Sequence, residues 1–175
     1  MSVLIALLAM ALPDDATPAS ADPLEPAKRG MMLCQAPDDT KKTCKSLVSY
    51  TAKPDGSFAS DATLLISPQG PVTLRTQSVV HEKNNSVCST LTTKQIDKMQ
   101  VFFAGQLIPP ERAWGILDRI EDAMTPFIGK ELCASYAPGE NGQLVSTGSV
   151  GGAPRPELKQ NVRWVGASDG YTVAP

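Results

Sequence analysis

Four cysteines constrain the fold of this chain more than any other feature of its sequence. Cys34, Cys44, Cys88 and Cys133 are separated by 9, 43 and 44 residues, so none of them forms the closely spaced pair that zinc sites require. An even number of cysteines in a small exported chain is typical of disulfides, and four cysteines allow three pairings. We expect two disulfides and favour Cys34–Cys44 with Cys88–Cys133.

The favoured pairing follows from what each bridge would enclose. The segment between Cys34 and Cys44 reads QAPDDTKKT, a polar loop without large apolar side chains to hold it in place. Cys88 and Cys133 flank a segment with helical periodicity, so a bridge between them would tie its start to its end. Each bridge would stabilise the domain by roughly 3–4 kcal/mol, because it removes entropy from the unfolded chain.

The N-terminal segment predicts export, which is the condition for stable disulfides. An uninterrupted apolar run over residues 3–12 has the length of a signal-peptide core and is too short to span a bilayer. The Ala-Ser-Ala tripeptide at residues 19–21 matches a signal-peptidase site. We therefore expect a signal peptide over 1–21, a flexible lead-in over 22–29 and a single globular domain over 30–175, periplasmic or secreted.

The charge balance excludes several kinds of partner. Removal of the signal peptide takes away Asp14 and Asp15, which leaves 16 acidic side chains against 16 basic ones. Such a balance gives no field that would attract nucleic acid or an anionic membrane. No later apolar run reaches spanning length, so we expect no membrane span in the mature form. The expected partner is a protein or a small-molecule ligand.

Strand signals dominate the first half of the expected domain. Short segments with β-branched residues and partial alternation are separated by turn residues, as in Pro54-Asp55-Gly56. These segments are residues 31–34, 44–52, 57–67, 72–80 and 87–91. Consecutive short strands joined by tight turns predict an antiparallel β-meander.

The middle of the chain changes to a helical period, which predicts a pair of helices. A capping box at Thr92 and Gln95 begins the first helix, and Gly105 ends it. The second helix extends over residues 109–129, because proline is tolerated in a first helical turn and apolar residues follow at helical spacing. Trp114 lies at the edge of that apolar stripe and is expected in the core.

The remaining chain returns to strands. Asn141-Gly142 is typical of a type I′ hairpin turn, residues 151–160 read as a loop, and Asp169-Gly170 predicts a last hairpin. Strand alternation puts Trp164 and Val162 on the core face. The complete order of meander, helix pair and hairpins predicts an α+β fold with segregated helices and two disulfides.

No catalytic motif fits its required context, so we expect no catalytic, cofactor-binding or metal-binding residues. Residues 166–170 match G-x-S-x-G, but no histidine follows them, as a hydrolase triad of this type requires. His81 is the single histidine and is interpreted as a surface residue at a strand end. Glu111, Asp118 and Asp122 share one helix face and are interpreted as its solvated side.

These exclusions favour a non-enzymatic binding or structural protein of the cell envelope. Two alternatives remain open at this point. One is a hydrolase that works without a metal, and the other is a protease-inhibitor-like protein that presents the disulfide-held loop Gln35–Thr43.

Overall fold

The computed structural model describes residues 22–67 and 70–175, so the expected signal peptide lies outside the described residues. Most of the described chain forms antiparallel strands. In chain order these are β1 (Met32–Gln35), β2 (Thr43–Cys44), β3 (Ser46–Ala52), β4 (Phe58–Ser67), β5 (Val72–Lys83), β6 (Ser86–Thr90), β7 (Gln100–Phe103), β8 (Gln106–Leu107), β9 (Glu131–Pro138), β10 (Leu144–Val150), β11 (Ala153–Val165) and β12 (Thr172–Val173).

Eight of these strands close into a barrel. Around the barrel they follow the order β1, β3, β4, β5, β6, β9, β10 and β11, and β11 pairs with β1 to complete the circle. Each barrel strand therefore pairs with the barrel strands before and after it in the chain. The antiparallel meander predicted for the first half is confirmed, and it continues through the second half. Closure pairs each barrel strand with two others, which leaves less of the exposed sheet edge that promotes aggregation.

The predicted helix pair is wrong, because only its second member is a long helix. The capping box forms, since the Thr92 backbone nitrogen donates to Gln95 Oε1 at 2.7 Å, but helix α2 (Thr93–Ile96) ends after four residues. The chain then enters β7, which pairs with the first residues of β5. Apolar residues at 96, 99, 102 and 103 fit a helix over so short a stretch, but the open edge of β5 offers hydrogen bonds to a strand.

The second predicted helix is α3 (Pro110–Met124), extended by a 3₁₀ turn over Thr125–Phe127. Its apolar side packs on a cluster formed by the ends of the barrel strands and by β7. The buried members of this cluster are Leu74, Leu91, Ile96, Met99, Val101 and Ala113. In the described part of the chain no helix is both long and apolar enough to cross a membrane.

Two expectations about the C-terminal region also need correction. Most of the stretch expected as a loop over residues 151–160 belongs to β11, which begins at Ala153 and whose prolines Pro154 and Pro156 precede the residues that pair with β1. A strand tolerates proline where one of its edges has no partner. The last hairpin does not form, because β12 pairs in parallel with β2 instead of folding back on β11.

Residues 22–29, expected as the lead-in to the domain, pack on the barrel. They contain the one-turn helix α1 (Glu25–Lys28), and Leu24 just before it is fully buried. Leu24 and Ala27 pack on Phe58, Val80 and Val87, which face the inside of the barrel. Burial of one leucine at this place stabilises the segment by roughly 1.5–3 kcal/mol, which is enough to order a short stretch next to prolines.

The hairpin at Asn141-Gly142 is confirmed. Asn141 and Gly142 both have positive φ, at 53° and 70°, and the Gln143 nitrogen donates to the Glu140 carbonyl at 3.0 Å. This is the geometry of a type I′ turn. The turn sits inside a slightly longer loop, because the last strand pair is Pro138 with Leu144.

The cysteines are joined in the pairing that the sequence favours. Cys34 is bonded to Cys44, which ties β1 to β2, and Cys88 is bonded to Cys133. The latter two lie directly opposite each other on β6 and β9, where the chain leaves and re-enters the barrel around α2, β7, β8 and α3. Two disulfides indicate an oxidising, extracytoplasmic environment.

Candidate ligand-binding site

The barrel has a lumen, and strand alternation decides which side chains enter it. Leu33, Val48 and Val162 are buried on neighbouring strands and define the inward face. Because side chains alternate along a strand, every second residue from these positions also faces inward. The register then brings inward residues of distant segments to one level, such as Tyr136 opposite Ser146 and Ser146 opposite Gln160.

One end of the lumen is covered by α1 and by aromatic side chains. The rings of Tyr50 and Trp164 meet there in a tilted arrangement, with their centroids 6.0 Å apart. Trp164 and Val162 face the inside as predicted, and Arg163 between them faces outward to contact Asn141 and Asp39. Apolar side chains therefore close this end of the lumen.

A cavity of about 420 Å³ occupies the lumen, and seven of the eight barrel strands contribute to its lining. Six uncharged polar side chains, all hydroxyls or amides, converge on it from six strands. They are Gln35, Tyr50, Ser89, Tyr136, Ser146 and Gln160. Apolar side chains such as Val80, Val87 and Leu132 line the remaining wall. A cavity of this size, mostly apolar with a few convergent polar groups, is typical of small-molecule sites.

The two tyrosines of the cavity remain protonated far above neutral pH. Burial raises the pKa of Tyr136 to about 12. Burial also raises the pKa of Tyr50 well above its ordinary value, and the neighbouring Tyr136 phenol adds to that shift. Both phenols are therefore neutral and able to donate as well as accept a hydrogen bond.

The serine and glutamine side chains of the cavity offer hydrogen-bonding groups to a ligand. Ser46 Oγ donates to Gln35 Oε1 at 2.8 Å, which leaves the Gln35 amide nitrogen to serve other acceptors. Ser146 faces the cavity and is only 6% exposed. Its hydroxyl can both donate and accept a hydrogen bond with a ligand atom.

The opening of the cavity is formed by an irregularity between β10 and β11. Ser146 pairs with Gln160 but Gly148 pairs with Arg155, so the chain between 155 and 160 forms a bulge in β11. Leu158 of this bulge lies against Gly148, where an added Cβ would be 2.8 Å from Leu158 Cδ1. The bulge with Leu158 therefore forms one wall of the opening, and the missing side chain of Gly148 makes room for it.

A larger depression of about 560 Å³ lies on the outside of the barrel. It is lined by outward-facing residues of β3, β4 and β5 together with the C-terminal residues 171–175. Asp61 in its wall is already held by Arg75, with Nη2 at 2.7 Å, and by Gln77. Since its charged group is satisfied internally and its lining comes largely from one face of a sheet, the lumen is the better candidate.

The residues considered for catalysis on sequence grounds lie outside the lumen. His81 is on the outer face, with Nε2 3.4 Å from Glu131 Oε1. The side-chain atoms of His81, Glu131 and Cys88 that could bind a metal ion lie within 4.8 Å of one another. The Cys88 sulfur is bonded to Cys133, however, and is not available as a thiolate ligand. Residues 166–170 contain a short 3₁₀ turn over Ala167–Asp169.

Of the two predictions made for the surface of α3, the one for its carboxylates agrees with the structure and the one for Trp114 does not. Glu111, Asp118 and Asp122 are exposed on α3, as the solvated-face interpretation expects. Trp114 is 65% exposed and not part of the core. Ala113 is buried instead, because α3 is rotated so that the neighbouring row of side chains meets the barrel.

The disulfide loop Gln35–Thr43 is fastened to the barrel end. Asp39 accepts a hydrogen bond from the Tyr171 hydroxyl and lies 3.2 Å from Arg163 Nη2. The Tyr171 hydrogen bond, aided by the Arg163 charge, lowers the pKa of Asp39. Gln35 at the start of the loop faces the lumen, so this loop and the cavity share a wall.

Sequence reasoning missed the six polar lumen residues. Each of them occupies an inward position of a strand, where the alternation rule would place an apolar residue. A search for polar residues at inward positions could have found them only with the strand register known.

Comparison with known protein families, curated proteins and solved structures finds no match for this chain.

Proposed function

We propose that this protein is a non-enzymatic binding protein that holds a small molecule inside its barrel. The observation that carries the proposal is the convergence of six hydroxyl and amide side chains on one cavity of about 420 Å³. An interior that served only stability would be filled with apolar side chains, because unpaired polar groups in a barrel cost free energy. We also propose that the protein acts in the periplasm or outside the cell.

Two features of the cavity favour binding over catalysis. Apart from Glu157 and Lys159 at the opening, its polar side chains are neutral hydroxyls and amides, which fix the orientation of a ligand through hydrogen bonds. Its tyrosines hold their protons at neutral pH, so they are poorly suited to act as general bases there. Neither the hydrolase nor the protease-inhibitor alternative is favoured by a specific contact within the described residues.

A fragment screen tests the proposal. A library of anionic, cationic and neutral fragments is screened by ligand-observed saturation-transfer NMR against the wild type, Ala134→Met and Ser135→Met. Ala134 faces the cavity, so a methionine there would occupy it, whereas Ser135 is the next residue on the same strand and faces outward. We expect fragments that bind the wild type and Ser135→Met but are lost with Ala134→Met.

The melting temperatures of both variants show whether they are folded. The proposal fails if no fragment binds the wild type. It also fails if all bound fragments bind a folded Ala134→Met variant equally well.

A further inference from the structure

The charged residues at the cavity lie at its opening and not inside it. Glu157 and Lys159 line the opening, and both are exposed. The Glu157 carboxylate already accepts a hydrogen bond from Arg155 Nε at 2.5 Å. All other lining side chains that the structure describes are uncharged. A ligand inside the lumen would therefore find no counter-charge there.

Binding of a charged ligand in the lumen would carry a free-energy cost. Transfer of an ion out of water into a protein interior costs several kcal/mol unless an opposite charge or a full set of hydrogen bonds compensates. The lumen has dipolar groups from several strands but no ion partner. Neutral molecules avoid the cost, so the lining discriminates against ionic ligands by physical necessity.

The hydrogen-bonding groups require a ligand with both donors and acceptors. The Gln35 amide nitrogen can only donate, and the carbonyl oxygen of the same side chain already accepts from Ser46. Gln160 and Ser146 can each donate and accept. A ligand with acceptors alone would leave the Gln160 carbonyl unsatisfied, and a ligand with donors alone would leave the Gln35 nitrogen unsatisfied.

The apolar part of the wall requires a ring or a comparable apolar body. Val80, Val87 and Leu132 present aliphatic surface to the cavity, and Tyr136 adds an aromatic ring. Water against such a surface is displaced favourably by an apolar group of matching size. A fully hydrated, flexible polar chain would gain little from this wall.

We infer that the ligand of the lumen is an uncharged ring compound that carries hydrogen-bond donors and acceptors, such as hydroxyl, carbonyl or amide substituents. This inference rests on the proposed function and names the ligand class for the same cavity. The test addresses the absence of net charge on the ligand.

Three probes of nearly equal shape test the inference at neutral pH. They are 4-hydroxybenzamide, which is neutral, 4-hydroxybenzoate, which is an anion, and 4-hydroxybenzylamine, which is a cation. Dissociation constants are measured by NMR titration of the purified full-length protein. Binding in the lumen is defined as binding that is weakened by Ser146→Ala and retained by the outward control Ser135→Ala. We expect the amide to bind in the lumen at least about tenfold more tightly than either ion, because neither ion finds a counter-charge there.

A charge variant provides the converse test. Gln160→Glu keeps the shape of the side chain and places a carboxylate at the cavity. This variant should bind the amide more weakly than the wild type does, and it should bind the benzylamine at least about tenfold more tightly. Gln35→Glu makes the same change on another strand if the first variant does not fold. Ser135→Glu is the matched outward control and should leave all three constants unchanged.

The outcomes separate the inference from the proposed function. Lumen binding of either ion as tightly as the amide overturns the inference and leaves a binding function in place. Binding of none of the three probes overturns the inference too, and the proposed function falls with it only if the fragment screen also finds no lumen ligand. Failure of both glutamate variants, when folded, to admit the benzylamine also counts against the inference.

Discussion

The packing of Leu158 on Gly148 can be tested by adding a single methyl group. In Gly148→Ala the new Cβ would lie 2.8 Å from Leu158 Cδ1 and 2.9 Å from Leu158 Cβ. The second distance is to an atom close to the backbone, so a side-chain rotation does not relieve it and the bulge must move. Overpacking of this kind costs about 1–3 kcal/mol.

A smaller effect of the opposite sign accompanies the clash. Replacement of glycine by alanine restricts the unfolded chain and stabilises by about 0.4–1 kcal/mol where the backbone conformation suits alanine, as it does at Gly148. The expected net loss is about 1–2 kcal/mol. For a domain of this size that corresponds to a decrease in melting temperature of about 2–8 °C.

Thermal unfolding followed by circular dichroism measures the effect, with Gly115→Ala as the matched control. Gly115 lies within α3 and an added Cβ there would meet nothing within 4 Å. The control should gain about 1 kcal/mol from helix propensity. If Gly148→Ala lowers the melting temperature and Gly115→Ala raises it, the loss at Gly148 is caused by the steric contact with Leu158.

A double-mutant cycle completes the test. Leu158→Gly removes both clashing atoms, so adding Gly148→Ala to it should cost about 1–3 kcal/mol less than adding it to the wild type. The reasoning is refuted if Gly148→Ala is as stable as the wild type. It is also refuted if the two substitutions are additive.

Two further predictions concern the hairpin turn and the lumen tyrosines. Gly142→Val should destabilise the domain by more than about 1 kcal/mol, because a β-branched residue resists the φ of 70° found there, and an unchanged melting temperature would contradict the turn assignment. The Tyr136 pKa of about 12 exceeds the value near 10 of an unfolded tyrosine, so its contribution to stability is complete below pH 10 and is lost as the pH rises towards 12. Unfolding free energies measured across that range should fall less steeply for Tyr136→Phe than for the wild type, and equal slopes would count against the burial of this phenol.

Some expectations came from chemistry that acts over a few residues. Asn141-Gly142 forms its turn because both residues accept positive φ, whatever lies around them. The capping box of Thr92 and Gln95 forms for a similar reason, since both groups are three residues apart in the chain. The cysteine pairing followed from the polar character of the short loop between Cys34 and Cys44.

Other expectations failed where a neighbour distant in the chain decided the outcome. Residues 100–103 became a strand because the edge of β5 was available, although their spacing also suits a helix. Leu24 is ordered because it finds Phe58 and Val80 inside the barrel. Trp114 is exposed because the rotation of α3 on the barrel favours Ala113, one residue along the helix, for the buried position.

The sequence by itself determined the meander of the first half and the turn at Asn141-Gly142, because each depends on residues close together in the chain. It also determined the cysteine pairing, since joining Cys34 to Cys44 across their short polar loop leaves Cys88 for Cys133. The lumen was decided only by tertiary structure. It exists because β1 and β11, separated by more than 100 residues, pair and close the sheet. That closure brings Gln35, Ser146 and Gln160 to one cavity. In the sequence they are isolated polar residues in separate segments, and no local pattern connects them, since the register of the distant strands sets their spatial relation.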